Sequence, residues 1–348
     1  MARNTGNSGT LAGGPLTMRD VARVAGVGVG TVSRVVNNAD GVSAKTKEKV
    51  KSAIAQLGFN PNPIARSMRS GLTMSFACVV RDFSVPILTS FANAIQNAVD
   101  GRGFGLQFVS SYHDVERELD ILNRLSNHRA DGVVVATASE TSPELLAALE
   151  SFPVPLVLLD RDIPESIDAV KIDHRSGTRS AVNHLIQLGH RRIAIITGPK
   201  DIRPVRERIA GYMLAHEKFG VPVDESLIHC GSFGIDFAYS EAMQILASAS
   251  RPTAVIAGGT AMLSGLLRAA RDLGLKIPDD LSVVSGADNE LAALHSPAIT
   301  AVRWQHDQLG AIAGRFLLNR LETPNMERQC MVVPTELISR ESCGPAPA

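Results

Sequence analysis

From about Thr73 onward the chain alternates short, continuously apolar runs with stretches of helical period. The runs include Phe76–Val80, Leu106–Val109, Gly132–Ala136, Leu156–Asp160, Val170–Asp173, Arg192–Thr197, Ala254–Ala257 and Leu281–Ser285. Between them, amphipathic patterns occupy Ile87–Asp100, Val115–Asn127, Ser176–Leu188, Arg206–Phe219, Asp236–Ala247 and Ala261–Leu273. A strand apolar at every position needs cover on both faces, and parallel pairing needs a crossover such as a helix. The expected body is therefore an α/β core of doubly wound parallel sheets. About 270 residues of this pattern exceed one compact core, so two lobes are expected.

The first seventy residues follow another rule. Residues 1–15, rich in glycine, read as a disordered tail. Thr17-Met18-Arg19-Asp20 has the form of a capping box, opening a helix with Val21, Ala22, Val24 and Ala25 inward and a stop at Gly26. A second helix begins near Val29 after Gly26-Val27-Gly28 and ends by Asn37-Asn38, with Val32, Val35 and Val36 on one side and Ser33, Arg34 and Asn37 on the other. Ser43 caps a third helix, Ala44–Leu57, closed by Gly58, with Val50, Ile54 and Leu57 as its apolar stripe. Two short helices joined by a small-residue turn and braced by a third make a helix-turn-helix. Asn60-Pro61-Asn62-Pro63 then breaks the helical pattern, and a short segment, Ile64–Ser70, follows.

Charge divides along the same line. Residues 1–70 hold ten basic and three acidic side chains out of 35 of each, which leaves a head of +7 on a body of −7. A basic block on an acidic body suits a polyanion binder, although charge alone is equally consistent with a solvated basic face. Cys78, Cys230, Cys330 and Cys343 lie far apart without metal-ligand spacing, a pattern of reduced thiols in a cytoplasmic protein. No apolar run is long enough for a membrane span, and the start lacks the apolar segment of a signal peptide.

Enzymatic readings find little to stand on. Gly26-x-Gly28-x-Gly30 follows a helix rather than a strand, and Gly101-x-Gly103-x-Gly105 lies between a helix and a strand, so neither has the context of a dinucleotide fingerprint. The nine histidines show no zinc-protease spacing, and no G-x-S-x-G elbow exists. No cofactor or metal is expected.

Several stretches resemble the LacI/GalR family of bacterial repressors: Met18–Val27 for the first helix and turn, Thr31–Asn37 for the recognition helix, and Val42-Ser43 with Thr46. Leu57-Gly58-Phe59-Asn60-Pro61-Asn62 and Ala65-Arg66-Ser67-Met68 continue the match. The resemblance implies a DNA-contacting set of Thr17, Met18, Val29, Gly30, Thr31, Ser33, Arg34, Asn37, Ser43, Thr46, Phe59, Asn62, Ala65 and Met68. Gly28 stands where the family usually has a serine cap, and Gly30 has no side chain to read with; readout there falls to Val29, Arg34 or DNA shape. Ile64–Ser70 resembles the family's hinge helix, with Met68 at the position of a minor-groove wedge.

The body is similar to the same family's periplasmic-binding-protein-like core through Leu159-Asp160-Arg161, Ile172-Asp173, His184–Ile193, Gly198-Pro199, Arg208–Tyr212 and Gly274–Asp280. Ligands in such a fold sit at strand carboxyl ends between the lobes, which makes Asp82, Phe83, Asp160, Arg208, Phe233, Asp288 and Trp304 the candidate effector-binding residues. Gly259-Thr260 replaces the family's Asn-Asp, and Ser285-Gly286-Ala287-Asp288-Asn289 departs from its Gly-Phe-Asp-Asp.

The implied organisation is a tail at 1–15, a helix-turn-helix domain at 16–60, a hinge at 61–71, a core at 72–340 and a tail at 341–348. Within the core, lobe 1 is expected at about 72–172 and 303–329, and lobe 2 at about 173–302 and 330–340. The implied function is a homodimeric, sequence-specific transcription regulator, most simply a repressor. It would bind a near-palindromic double-stranded operator under control of a carbohydrate-like effector, in the cytoplasm and away from membranes. A sugar-binding or sensing protein with no DNA role is the alternative.

Overall fold

The computed structural model describes residues 16–36, 40–59, 72–82, 87–127 and 130–347. Two compact units divide the chain, Met1–Thr73 and Met74–Ala348.

In the first unit, helices α1 (Met18–Ala25), α2 (Val29–Val36) and α3 (Ala44–Leu57) enclose Val21, Ala22, Val32, Val35, Val50, Ala53 and Phe59. Asp20 closes the start of α1, its carboxylate accepting from the Thr17 N–H at 3.0 Å and the Thr17 hydroxyl at 2.7 Å. Gly26 ends that helix at φ +64°, a left-handed conformation that costs glycine least. The residues expected inward hold with one exception: Val24 is exposed, because the core stripe of so short a helix is only Val21 and Ala22 wide.

The second unit contains two six-stranded sheets. The first is built from β1 (Ser75–Val80), β2 (Gly105–Ser110), β3 (Gly132–Val135), β4 (Leu156–Leu159), β5 (Asp168–Ile172) and β11 (Cys330–Val333), in the order β11-β5-β4-β3-β1-β2, all parallel. The second holds β6 (Ile193–Thr197), β7 (Ile228–Cys230), β8 (Ala254–Ala257), β9 (Ser282–Ser285), β10 (Thr300–Arg303) and β12 (Glu336–Ile338), in the order β12-β10-β9-β8-β6-β7. Among the described strands of this sheet, only β12 runs antiparallel to its neighbour.

Strand alternation sorts the helices. Phe76, Cys78 and Val80 of β1 pack with α4 (Ile87–Asp100) and the long helix His306–Glu322, while Ala77 and Val79 face α5 (Val115–Ser126) and α6 (Pro143–Glu150). In the other lobe Ile193 and Ile195 of β6 face α7 (His174–Gln187) and α8 (Arg203–Phe219). Ala194 and Ile196 face α9 (Ile235–Leu246) and α10 (Met262–Asp272). Three helix pairs cross at a glycine. A Cβ on Gly211, Gly265 or Gly310 would fall well inside contact distance of the backbone of the facing helix.

The chain passes between sheets after β5, after β10 and between β11 and β12. The last crossing differs from the sequence expectation, which returned the chain to the second lobe at 330. Residues Cys330–Val333 instead pair parallel with Ala169–Ile172, extending the first sheet by one edge strand before the chain crosses.

Candidate functional site

On the first unit, the faces of α2 are sharply divided. Val32 and Val35 are buried, whereas Val29, Gly30 and Arg34 are exposed and Thr31 and Ser33 half-buried. Gly28 fills the cap position through its backbone, its carbonyl accepting from Thr31 N at 2.9 Å and Val32 N at 3.2 Å. Arg34 is exposed and makes no ion pair with a described carboxylate. Val29 keeps an apolar side chain 43% exposed at the start of the helix, which leaves it available to a thymine methyl.

Thr17, Ser43 and Thr46 stand at the N-termini of α1 and α3, where Ser43 Oγ accepts from Thr46 N at 3.3 Å. Met18 is half-buried against the core. Phe59, expected among the DNA contacts, is instead a core residue, 7% exposed beneath the three helices. Asn37, Asn62, Ala65 and Met68, and with them the hinge, lie outside the described residues.

In the second unit a cavity of about 200 Å³ opens where strand carboxyl ends of both sheets converge. Four of the candidates meet there: Asp160 after β4, Arg208 on α8, Phe233 after β7 and Trp304 after β10. Asp160 adopts φ +53° and turns its carboxylate inward. Oδ1 accepts from Ile172 N at 3.1 Å and Arg203 Nη1 at 2.9 Å, and Oδ2 lies 2.7 Å from His174 Nε2. Burial opposes its ionisation, but the His174 and Arg203 contacts outweigh that and hold the carboxyl well below the usual carboxylate range.

His174 shows the opposite balance. Burial, with Arg208 nearby, pushes its pKa down to about 4 against the pull of Asp160. The ring is thus neutral at physiological pH, donating from Nε2 and leaving Nδ1 as an acceptor. Trp304 packs edge-on to it, with centroids 5.6 Å apart.

Arg208 is 5% exposed and donates through Nη1 to Pro204 O at 3.2 Å. Burial draws its pKa down to about 10, still cationic at neutral pH. The Phe233 ring lies 6.0 Å from its guanidinium carbon and 5.4 Å from that of Arg81. Phe233 fits because residues 198 and 259 are glycines; a Cβ on either would strike the ring.

Other candidates are placed elsewhere. Asp82 pairs with Arg81 Nε at 2.7 Å and is not part of the lining. Asp288 is held away from the cavity between Arg303 and Arg340, each at 2.8 Å. Phe83 lies outside the described residues. Sequence reasoning did not single out Arg81, His113, Arg161 or His174, all of which line the cavity just beyond strand ends. Their signal was positional: each follows an apolar run within a few residues.

Around the cavity the lobes are joined by charge. Arg206 on α8 pairs with Asp162 at 2.9 Å and with Glu140 at 3.3 Å, and both carboxylates belong to the first lobe. The Glu140 carboxylate, fully buried, also accepts from Asp162 N, Ile163 N and, at the start of α8, Arg203 N.

Residues 17–62 match the family described as bacterial regulatory proteins, lacI family, and residues 182–343 match the periplasmic binding protein-like domain. The HTH-type transcriptional regulator DegA of Bacillus subtilis (strain 168) is 34% identical over 333 residues, spanning 94% of this chain and 98% of that protein. The chain belongs to the LacI family. Another LacI-family relative, the HTH-type transcriptional repressor PurR of Edwardsiella ictaluri (strain 93-146), is 32% identical over 334 residues, 95% of this chain and 98% of its own length.

Among solved LacI-family structures, the lac repressor dimer bound to operator and the anti-inducer ONPF superposes with a TM-score of 0.84 at 27% identity, covering 94% of this chain and 99% of that one. The CelR–cellobiose complex gives 0.71 at 32% identity over the same shares. This LacI-family member is a DNA-binding transcription regulator and not an enzyme. The DNA-free alternative is set aside because the match includes the helix-turn-helix. No helix among the described residues is long and apolar enough to cross a membrane.

Proposed function

We propose that the protein is a homodimeric repressor acting in the cytoplasm, and that a small molecule bound between the lobes of its core sets its affinity for a near-palindromic operator. The cavity carries this reading. It draws residues from both sheets at their carboxyl ends, so a ligand there touches both lobes at once and biases their relative orientation. Two relatives whose structures hold an operator with an anti-inducer, or a sugar, support the same use of the fold.

Residues 16–60 form the DNA-binding domain, 61–71 the hinge, and 72–340 the effector and dimerisation core. Val29, Gly30, Thr31, Ser33 and Arg34 face the major groove. Thr17, Met18, Ser43 and Thr46 stand against phosphates, since the positive ends of helix dipoles favour anions. Two-fold pairing of the chains places two such heads on symmetric half-sites.

The test is operator binding by the full chain, measured with and without candidate ligands. A ligand that stabilises the protein in a thermal scan should change operator affinity by about 5–150-fold. A ligand that binds the core yet leaves operator affinity unchanged would sink the regulatory reading.

A further inference from the structure

The cavity's lining is rich in donors and poor in acceptors. Three guanidiniums, Arg81, Arg161 and Arg208, enter it, and guanidinium nitrogens only donate. Arg81 is neutralised by Asp82. Arg161 and Arg208 make no ion pair with a described carboxylate; Arg161 donates to the Thr137 and Asp160 carbonyls, and Arg208 to the Pro204 carbonyl. Both are more than nine-tenths buried; the carboxylates of Asp160, Glu140, Glu118 and Asp201 attract Arg161 and that of Asp160 attracts Arg208, yet burial outweighs them and draws both pKa values down. The one carboxylate that lines it among the described residues, Asp160, has its oxygens taken by Ile172, His174 and Arg203. No asparagine, glutamine or glutamate among the described residues lines the cavity to accept from sugar hydroxyls.

The two cations come from opposite lobes, Arg161 beyond β4 and Arg208 on α8. In low dielectric an anion reaching both guanidiniums gains attraction from each lobe. A second observation concerns His113, which also lines the cavity. It and Tyr112 stand at φ +63° and +52°, two successive non-glycine residues in the left-handed region. Strain of this kind persists where the surroundings fix a side chain for a purpose. Burial and the neighbouring Arg161 and Arg81 push the His113 pKa down, against Asp201, so the ring is a neutral group poised beside cations.

Resting on the reading of this cavity as the effector site, we infer that the effector is a small polyhydroxy anion, an acidic monosaccharide. Its carboxylate or phosphate is gripped by Arg161 from one lobe and Arg208 from the other. The volume, roughly that of seven waters at about 30 Å³ each, suits a single sugar ring. Phe233 and Trp304 supply apolar walls for it.

The experiment uses the full chain and matched probes: glucose, glucuronate, gluconate and glucose 6-phosphate, with inorganic phosphate as the bare ion. Calorimetry and thermal shift are run on wild type, Arg161→Gln and Arg208→Gln. At least one acidic probe should bind tenfold or more tightly than glucose, and Arg161→Gln should erase that preference while its melting temperature without ligand stays near wild type. The carboxylate and phosphate probes separate the two anion sources. Glucose binding as tightly as every acidic probe, or no acidic probe binding, overturns the inference. If an acidic probe binds with its preference intact in both variants, the inference falls together with the cavity assignment. Loss of the preference with glucose binding retained supports the inference and leaves the cavity assignment standing.

Discussion

Asp160 and His174 meet across the lobes, carboxylate Oδ2 to imidazole Nε2 at 2.7 Å, and the imidazole is neutral. The contact is therefore a hydrogen bond from a neutral donor to an anion rather than a salt bridge, and burial makes charging the ring costly. An unfolded His174 takes up its proton near pH 6.5, whereas the folded one resists to about 4. The folded pKa is depressed below the unfolded one, so the unfolded chain binds more protons across that window and stability falls as the pH is lowered. From pH 7 to pH 5 this residue alone should cost about 2 kcal/mol. His113, His184, His190, His216 and His306 are shifted down by burial in the same direction. Urea unfolding between pH 5 and 7 measures the slope. His174→Gln keeps the donor without the titration and should flatten it; an unchanged slope would clear His174 of the effect.

The sequence revealed this site unevenly, for physical reasons. Strands such as Ala254–Ala257 are buried on both faces and announce themselves as apolar runs. Edge strands Ile228–Cys230 and Cys330–Val333 are half-exposed and do not, which is why the third crossing was set too early. Arg208, Asp160, Phe233 and Trp304 were readable because strand carboxyl ends place ligands in this fold. Asp288 answered the same rule, but its fate was settled by Arg303 and Arg340, the latter 52 positions away, and no local pattern shows such a pairing. His113 owes its place to backbone at positive φ, which sequence does not display for a non-glycine residue. Phe59 reads as part of a surface motif, yet an aromatic ring beside a three-helix core is worth more buried.

Glu140 should be the strongest single tie between the lobes. Its buried carboxylate closes the N–H groups of Asp162, Ile163 and Arg203 and pairs with Arg206. Glu140→Ala leaves those three N–H donors unsatisfied and takes one of two carboxylate partners from Arg206, which keeps Asp162, and should cost about 3–5 kcal/mol in urea unfolding. Glu140→Gln keeps one acceptor oxygen and should cost less. Small-angle scattering of the Gln variant should show a larger radius of gyration as the lobes part. No loss of stability in the Ala variant would mean that water replaces the carboxylate at every donor.

Arg34 should carry base recognition. Exposed, and unpaired among the described residues, it is ready for the bidentate geometry that guanine presents. Arg34→Ala should weaken specific operator binding by about 1–3 kcal/mol and change random DNA much less. Titrations at two salt concentrations separate the cases. An equal loss on both DNAs, with a shallower salt slope, would assign Arg34 to phosphate.

Arg208 should govern the ligand response without governing DNA binding. It sits in the second unit, buried at the cavity with Phe233 against it and, among the described residues, the Pro204 carbonyl as its hydrogen-bond partner. Removing a guanidinium engaged in no ion pair with a described carboxylate costs the fold little electrostatic stabilisation, whereas removing it from a ligand's anionic or hydroxyl group costs the charge-assisted bonds that orient it. Arg208→Ala should therefore keep wild-type operator affinity and lose its change on adding ligand. Linkage makes the test two-sided, because the factor by which ligand alters operator binding must equal the factor by which operator alters ligand binding. Both should be about 5–150 in wild type and close to one in the variant. A full response retained in Arg208→Ala would remove this residue from the site. Operator binding lost outright would show that Arg208 holds the core together, and a melting curve on the same sample would register that as a lowered transition.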